Sequence, residues 1–127
     1  MGHYLIIGGS GGIGSALARH LKAEEHTLHL TGRDAGRLSA MASELGATAT
    51  VGDVLEEGFA AKVATEAGPV LDGLAYCAGT INLKPLARLT DEDFRRDYAV
   101  NALGAVQTIQ AALPALKAAT GTASILL

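Results

Sequence analysis

The sequence predicts one α/β domain, built on a doubly wound parallel sheet with strand order 3-2-1-4-5 and spanning residues 1–127. Short apolar runs alternate with segments of helical periodicity along the whole chain. The first apolar run ends in a turn with five glycines in seven positions, residues 8–14. Strands separated by helices favour a parallel sheet with right-handed crossovers, covered by helices on both faces.

The first half of the chain supplies three strands and two helices. We predict strands at residues 3–8, 26–32 and 47–53, where apolar residues run together or alternate. Between them, residues 13–25 and 34–46 place apolar side chains at helical spacing. The second half continues the alternation.

A third helix is predicted at residues 55–67, a fourth strand at 71–79 and a loop at 80–89. One long helical stretch then covers 90–120, and a fifth strand begins at 121. The chain stops inside that strand at residue 127, so we expect a sheet truncated within its fifth strand.

The long helical stretch has three marked residues besides its apolar face. Thr90 and Asp93 resemble a capping box, and Pro114 is predicted to bend or locally break the helix. Asn101 is a polar residue in an otherwise apolar part of the stretch. Its side chain is expected either to serve a site or to bond a nearby backbone carbonyl.

Two features converge on one crevice of the predicted sheet. Ligands of doubly wound sheets bind at the carboxyl ends of the strands, where the strand order reverses. Here the reversal lies between strands one and four, which end at the glycine turn and at the "CAG" of residues 77–79. The unpaired N–H groups of the following helix would attract phosphate there.

The glycine spacing fits three dinucleotide-binding patterns. Gly9, Gly11 and Gly14 fit GxGxxG, whereas Gly8, Gly11 and Gly14 fit GxxGxxG. Gly8, Gly12 and Gly14 fit GxxxGxG. A P-loop is excluded because no Gly-Lys-Ser/Thr follows.

Composition argues against several other classes of protein. The net charge is -3, and no basic patch for nucleic acid or polybasic membrane anchor is present. Apolar runs are shorter than the ~20 residues of a membrane span. A single cysteine, Cys77, permits no internal disulfide, and the four histidines lack companions for a metal site. We therefore expect a cytoplasmic protein without a metal, a membrane or a nucleic acid as partner.

Four motifs together resemble the classical branch of the short-chain dehydrogenases/reductases. They are "GGSGGIG" (8–14), "GDV" (52–54), "CAG" (77–79) and "NALG" (101–104), which occur in this order and at about this spacing. The resemblance implies a Rossmann-like fold, a nicotinamide dinucleotide cofactor and the GxxxGxG register. The family usually has Thr where this chain has Ile7.

The same resemblance implies a set of cofactor-binding residues at the ends of four strands. They are Gly8, Ser10, Gly11, Gly12, Ile13, Gly14, Arg33, Asp53, Val54, Cys77, Ala78 and Gly79. Asp53 would accept a hydrogen bond from the adenine amino group, or cap the helix predicted at 55. Cys77 stands where the family often has Asn, and is more simply a small buried side chain than a nucleophile.

The end of strand two favours NADP over NAD. An NAD site usually has a carboxylate there, and in the family pattern that position falls on Gly32. Arg33 follows and could pair with the 2′-phosphate of NADP, with Ser10 adding a hydrogen bond. Asp34 could instead act as the ribose acid, although it also fits as a helix cap, with Gly46 at the other end of that helix.

The catalytic residues of the family are mostly absent from this chain. The family uses a Ser and a Tyr-x-x-x-Lys pair, and Tyr4, Tyr76 and Tyr98 have no Lys four residues later. Asn101 matches the Asn that supports the Lys. We therefore expect the cofactor-binding part of an NADP-dependent oxidoreductase acting on a small carbonyl or alcohol, inactive alone and associating with itself or with a C-terminal half.

Two other functions fit the same fold. A non-catalytic NAD(P)-binding sensor or regulatory module would need no Tyr-Lys pair. A methyltransferase also has a glycine-rich turn after strand one, but it usually has an acid where this chain has Gly32 and Arg33.

Overall fold

The structure is a computed structural model that describes residues 1–127. Its five strands form one parallel sheet in the order β3-β2-β1-β4-β5, as the sequence predicts. The strands are β1 His3–Ile7, β2 Thr27–Gly32, β3 Thr48–Val51, β4 Gly73–Tyr76 and β5 Ser124–Leu126.

Five α-helices and two shorter helical segments connect the strands. The α-helices are α1 Gly12–Ala23, α2 Ala35–Leu45, α3 Phe59–Ala67, α4 Asp91–Tyr98 and α5 Gly104–Lys117. A 3₁₀ turn covers Leu86–Arg88, and a π-helical segment, Ala99–Leu103, joins α4 to α5. The predicted long helical stretch is therefore continuous but changes its winding in the middle.

The predicted caps form. The Asp34 carboxylate accepts from the backbone N–H of Arg37, and Gly46 ends α2 in the left-handed conformation at φ +60°. Thr90 and Asp93 form a reciprocal capping box at the start of α4. These short-range signals hold because each is satisfied within one helical turn.

The start of α3 was predicted wrongly. The helix begins at Phe59 and not at residue 55, because Gly58 at φ +79° separates it from a turn. Asp53 therefore does not cap the helix; its Oδ1 accepts from the N–H of Leu55 within that turn, at 2.9 Å. The Glu56 carboxylate in turn accepts from the N–H of Asp53.

Pro114 does not break α5, which continues to Lys117. Proline removes one backbone donor, the N–H that would bond the carbonyl of Gln110, and the remaining backbone hydrogen bonds continue the helix past it. The carbonyl of Pro114 still accepts from the N–H of Ala118.

Alternation along β1 builds a core on each face of the sheet. Leu5 and Ile7 belong to a cluster of 12 buried residues beneath α3 and α5, whereas Ile6 belongs to a cluster of seven beneath α1 and α2. All three side chains are fully buried. Because both faces are covered, the central strands are apolar on both sides, as in parallel sheets generally.

The helical stretch Asp91–Lys117 has 27 residues, and its most apolar window of 18 residues has a mean hydropathy of 1.2, so by length and composition alone it could cross a membrane. In this fold its α5 part packs against α3 and β4. It supplies Ala105, Ala112 and Leu116 to the larger core cluster. Packing within the domain thus accounts for part of the apolar character of the helix, while Val106 and Leu113 are 51% and 39% exposed.

Candidate functional site

A crevice of about 570 Å³ lies at the carboxyl ends of the central strands, where the strand order reverses. It is open to solvent and has both polar and apolar walls. Its lining residues are Ile7, Gly8, Ser10, Gly11, Thr31, Gly32, Arg33, Asp34, Arg37, Gly52, Asp53, Val54, Cys77, Ala78, Gly79, Thr80 and Val100. The glycine turn and the "CAG" of residues 77–79, which the sequence predicts to lie together, therefore line the same crevice.

Close backbone contacts hold the glycine turn that forms the floor of this crevice. Gly8 has φ +82°, and a Cβ there would lie 2.9 Å from the backbone nitrogen of Ala78. A Cβ on Gly14 would overlap the carbonyl oxygen of Gly8. Both glycines are therefore required by the fold itself, because the turn packs against β4 and against the start of α1.

Gly12 differs from these two glycines, since a Cβ there would meet nothing within 4 Å. The protein does not need a glycine at this position for packing. The same stretch opens α1, whose N-cap residue, Gly11, offers no side-chain cap. The first backbone N–H groups of α1 are thus free to bind an anion.

Most of the predicted cofactor-binding residues line the crevice, and the remainder lie at its edge. Gly12, Ile13 and Gly14 belong to the first turn of α1 rather than to the lining, and the Ile13 side chain is 77% exposed. Asn101 also lies outside the lining. The other nine predicted residues line it: Gly8, Ser10, Gly11, Arg33, Asp53, Val54, Cys77, Ala78 and Gly79.

Two guanidinium groups stand at the end of β2. Arg33 is exposed, and its Nη1 lies 3.9 Å from Oδ2 of Asp53, beyond hydrogen-bonding distance. Arg37, on the first turn of α2, donates from Nη2 to the carbonyl of Ser10 at 3.4 Å. Asp34 lies between them in sequence but uses its carboxylate to cap α2.

Arg37 is a site residue that the sequence analysis did not select. Its place beside the glycine turn depends on how α2 packs against the sheet, which local patterns do not reveal. The glycine turn itself lies close to the end of β2, since a Cβ on Gly32 would lie 2.5 Å from Oγ of Ser10.

Thr31 is a second residue that the sequence analysis did not select. It is 1% exposed, and its Oγ1 accepts from the N–H of Gly8 at 3.3 Å. Its carbonyl accepts from the N–H of Gly9 at 2.8 Å. Thr31 thus ties the glycine turn to the end of β2. The signal in the sequence that could have indicated this role is a hydroxyl-bearing residue within a strand predicted to be buried.

Asn101 holds the backbone that follows β4. Its Oδ1 accepts from the N–H of Thr80 and its Nδ2 donates to the carbonyl of Thr80, both at 2.8 Å. The Thr80 hydroxyl donates to Asp97 at 2.6 Å. The Asn101 side chain therefore does bond a backbone carbonyl, but one that lies 21 residues away and lines the crevice.

Burial keeps the two reactive-looking side chains at the end of β4 in their neutral forms. Burial, followed by the nearby charge of Asp53, raises the pKa of Tyr76 to about 12. Burial also raises the pKa of the Cys77 thiol above its usual value. Cys77 is thus a small neutral side chain in the crevice wall, and its thiolate is not favoured.

The arrangement combines a glycine turn at a helix N-terminus, cationic side chains and a wall of small residues, and this set has the chemistry to bind a dinucleotide. No group of three or more His, Cys, Asp or Glu is arranged to hold a metal ion. A family model described as short chain dehydrogenase matches residues 3–126, almost the whole chain. The chain belongs to the short-chain dehydrogenase family. Members of this family are oxidoreductases whose cofactor is a nicotinamide dinucleotide, either NAD or NADP.

Named proteins of known sequence are similar over nearly the same residues. The 3-dehydrosphinganine reductase TSC10A of Arabidopsis thaliana is 33% identical over 122 residues, which cover 91% of this chain and 37% of that protein. An uncharacterized oxidoreductase of Mycobacterium tuberculosis is 31% identical over 112 residues, which cover 88% of this chain and 45% of that protein. The chain thus spans less than half the length of these relatives.

Solved structures of the family superimpose closely on the fold. A short chain dehydrogenase/reductase family protein matches with a TM-score of 0.88 at 29% identity, over 97% of this chain and 52% of the other. A short-chain dehydrogenase/reductase from Serratia marcescens matches with a TM-score of 0.82 at 26% identity, over 88% of this chain and 49% of the other.

Proposed function

We propose that this chain is the cofactor-binding part of an NADP-dependent oxidoreductase that transfers a hydride between NADP(H) and a small carbonyl or alcohol. The observation that carries the proposal is the pair of guanidinium groups, Arg33 and Arg37, at the end of β2 beside Ser10. The family membership supports the oxidoreductase class, and the guanidinium pair supports the choice of NADP.

The glycine turn fits the diphosphate of such a cofactor. Free N–H groups at the start of α1, with the positive end of the helix dipole, favour a bound anion. The open space beside Gly12 lets the diphosphate approach the backbone. Gly8 and Gly14 keep the turn compact enough for that approach.

The end of β2 fits the 2′-phosphate that distinguishes NADP. Arg33 and Arg37 offer charge-assisted hydrogen bonds to a phosphate, and Arg33 retains its donors because the nearest carboxylate oxygen is 3.9 Å away. A carboxylate at position 32 would repel the phosphate, but this chain has glycine there. The Asp34 carboxylate caps α2 through Oδ1, which favours the role of a helix cap over that of a ribose acid.

The rest of the crevice would hold the two ends of the cofactor. We assign Asp53 and Val54 to the adenine end of the cofactor. We assign Ala78, Gly79 and Thr80 to the end that carries the nicotinamide ribose, and all five residues line the crevice. When bound, the nicotinamide supplies the hydride. This chain's own residues bind and orient the cofactor, and Asn101 fixes the backbone at Thr80.

A non-catalytic NAD(P)-binding module is the second candidate. It is favoured by Tyr76, which directly precedes the crevice residue Cys77 and whose buried hydroxyl donates to the carbonyl of Val100. A hydroxyl that is buried and already bonded does not reach a substrate. In either case the partners we propose are a small molecule in the crevice and protein surfaces that complete the sheet.

Titration calorimetry with NADPH, NADH and S-adenosylmethionine tests the proposal. We expect NADPH to bind more tightly than NADH, and S-adenosylmethionine not to bind. Binding of S-adenosylmethionine alone would contradict it. NADPH oxidation with a panel of small aldehydes and ketones separates the two candidates when it is measured on a longer protein that contains this chain, because the 127-residue chain is expected to be inactive alone. Turnover supports the enzyme, and tight binding without turnover supports the module.

A further inference from the structure

Tyr76 makes an unusual connection between the sheet and the helical layer. It is the last residue of β4, it is 7% exposed, and its hydroxyl donates to the carbonyl of Val100 at 2.5 Å. Gly104 accommodates this hydroxyl, because a Cβ there would lie 2.5 Å from the Tyr76 oxygen. Tyr76 and Gly104 are thus matched to each other in space.

The carbonyl that Tyr76 contacts belongs to the π-helical segment Ala99–Leu103. In this segment the helix is wider than an α-helix, and the N–H of Gly104 donates to the carbonyl of Ala99, five residues earlier. The Tyr76 hydroxyl adds a hydrogen bond to a carbonyl of this wider turn, in addition to the hydrogen bonds between backbone groups. Isolated π turns of this kind are frequent at functional sites.

Asn101 lies within this segment, one residue after Val100. Its amide group makes both hydrogen bonds to the Thr80 backbone, and Thr80 lines the crevice. A π turn contains one residue more than an α-helical turn. With α-helical winding throughout, the residues that follow this extra residue would be rotated by about 100° around the helix axis. The π winding therefore sets the direction in which Asn101 reaches Thr80.

We infer that Tyr76 is a positioning residue, whose hydroxyl fixes the π-helical segment so that Asn101 holds the Thr80 backbone against the nicotinamide side of the crevice. This inference rests on the proposed function for its ligand, but the hydrogen bonds that carry it are present in the protein alone. A tyrosine that merely fills the core would contribute its ring and not its hydroxyl.

Hydrogen exchange in the free protein tests the link without any ligand. Tyr76→Phe keeps the ring and removes the hydroxyl, and we expect the Thr80 N–H to exchange about tenfold faster, as for the loss of one buried hydrogen bond. The N–H of Leu5, in the central strand β1, reports global stability and corrects for any general loosening. Tyr4→Phe is the matched control, because it removes a hydroxyl from the amino end of β1.

Ligand binding tests whether the loss of the Tyr76 hydroxyl affects only the nicotinamide side of the crevice. Adenosine 2′,5′-bisphosphate carries the adenine and the 2′-phosphate but no nicotinamide. In Tyr76→Phe we expect NADPH affinity to fall about fivefold to tenfold, and the affinity for the bisphosphate to stay within about twofold. Because Tyr76 acts through Asn101, the double variant with Asn101→Ala should bind NADPH no more weakly than Asn101→Ala alone.

The outcomes separate this inference from the proposed function. Unchanged Thr80 exchange in Tyr76→Phe, equal losses for both ligands, or additive losses in the double variant would each overturn the positioning role. A wild-type protein that binds neither NADPH nor the bisphosphate would overturn the proposed function, while a selective rise in Thr80 exchange would still establish the link from Tyr76 to Thr80.

Discussion

At the scale of residues, the site depends on a few side chains whose neighbours decide their roles. Arg33 was predictable because it follows strand two directly, whereas Arg37 was not, because its approach to Ser10 depends on the packing of α2. The start of α3 at residue 55 was predicted wrongly, since Gly58 in the left-handed conformation delays the helix, and this removes the alternative role of Asp53 as its cap. Residues fixed by their sequence neighbours were predictable, and those fixed by packing were not.

The two arginines should act together in the choice of cofactor. Arg33→Ala should weaken NADPH binding by about 1–3 kcal/mol, because it removes charged hydrogen bonds to the 2′-phosphate, and NADH binding much less. Arg37→Ala should act in the same direction. Titration calorimetry with both nucleotides measures this, with Arg96→Ala, an exposed residue of α4, as the control. Equal losses for NADPH and NADH would refute the phosphate role.

Gly12 should be needed for the ligand but not for the fold. Gly12→Val places its side chain in open space, so the melting temperature should change little while dinucleotide binding is lost. Thermal melting and calorimetry measure the two quantities separately. Gly121→Val, at another position with nothing within 4 Å, is the control and should retain binding. Unchanged affinity in Gly12→Val would reject the glycine turn as the diphosphate site.

At the scale of elements, a buried polar group joins β2, β3 and α3. The imidazole of His29 is 1% exposed and lies 2.6 Å and 2.7 Å from the hydroxyls of Thr48 and Thr50. Thr50 donates onward to Glu66 on α3. Burial lowers the pKa of His29, the Glu66 charge opposes this, and His3 on β1 lowers the pKa further.

This buried imidazole should make the fold less stable in mild acid. Because the pKa of His29 is lower in the folded state, the unfolded chain binds the proton more readily below pH 6.5, the ordinary value. The free energy of unfolding should therefore keep its maximum contribution from His29 above pH 6.5, and it should decrease as the pH falls below 6.5. Urea unfolding at several pH values measures the slope.

Two variants assign that slope to one residue. His29→Gln replaces the imidazole by a neutral side chain and should reduce the slope between pH 6.5 and 5. His20→Gln removes an exposed imidazole on α1 and should leave the slope unchanged. A slope that persists in His29→Gln would show that other groups cause it.

The winding of the long helix shows where prediction of elements from sequence ends. A helical period predicted residues 90–120 well, and the capping box at Thr90 was exact to the residue. The π-helical segment was not predictable, because α4 has few apolar residues against which a shift in the phase of the apolar pattern could be seen. Its position depends on the hydroxyl of Tyr76, which arrives from a strand more than twenty residues earlier.

At the scale of the whole molecule, the strand order and the two-sided core followed from the alternation of strands and helices. The crevice followed as well, because the reversal of strand order fixes where ligands of this fold bind. The sheet has two edges, and one of them is the short strand β5, whose Ile125 and Leu126 are 46% and 55% exposed. Such an edge offers unpaired backbone groups to another strand.

We therefore predict that the 127-residue chain associates through β5. Sedimentation velocity should show a mass that rises with concentration. Ile125→Lys should reduce this association, because a charge on an edge strand opposes edge-to-edge pairing. Leu55→Lys, at a similarly exposed residue in a turn, should not. A chain that stays monomeric at all concentrations would contradict the prediction.

The binding of a dinucleotide by the backbone of the first β-to-α turn is the claim on which the account depends. Backbone amide chemical shifts recorded while NADP⁺ is added to the ¹⁵N-labelled protein test it most directly. The account predicts that the largest shifts fall on the N–H groups of Gly11, Gly12 and Ile13, with the side chain of Arg33 moving in step. Shifts confined to other surfaces, with the glycine turn unchanged at saturating NADP⁺, would contradict it.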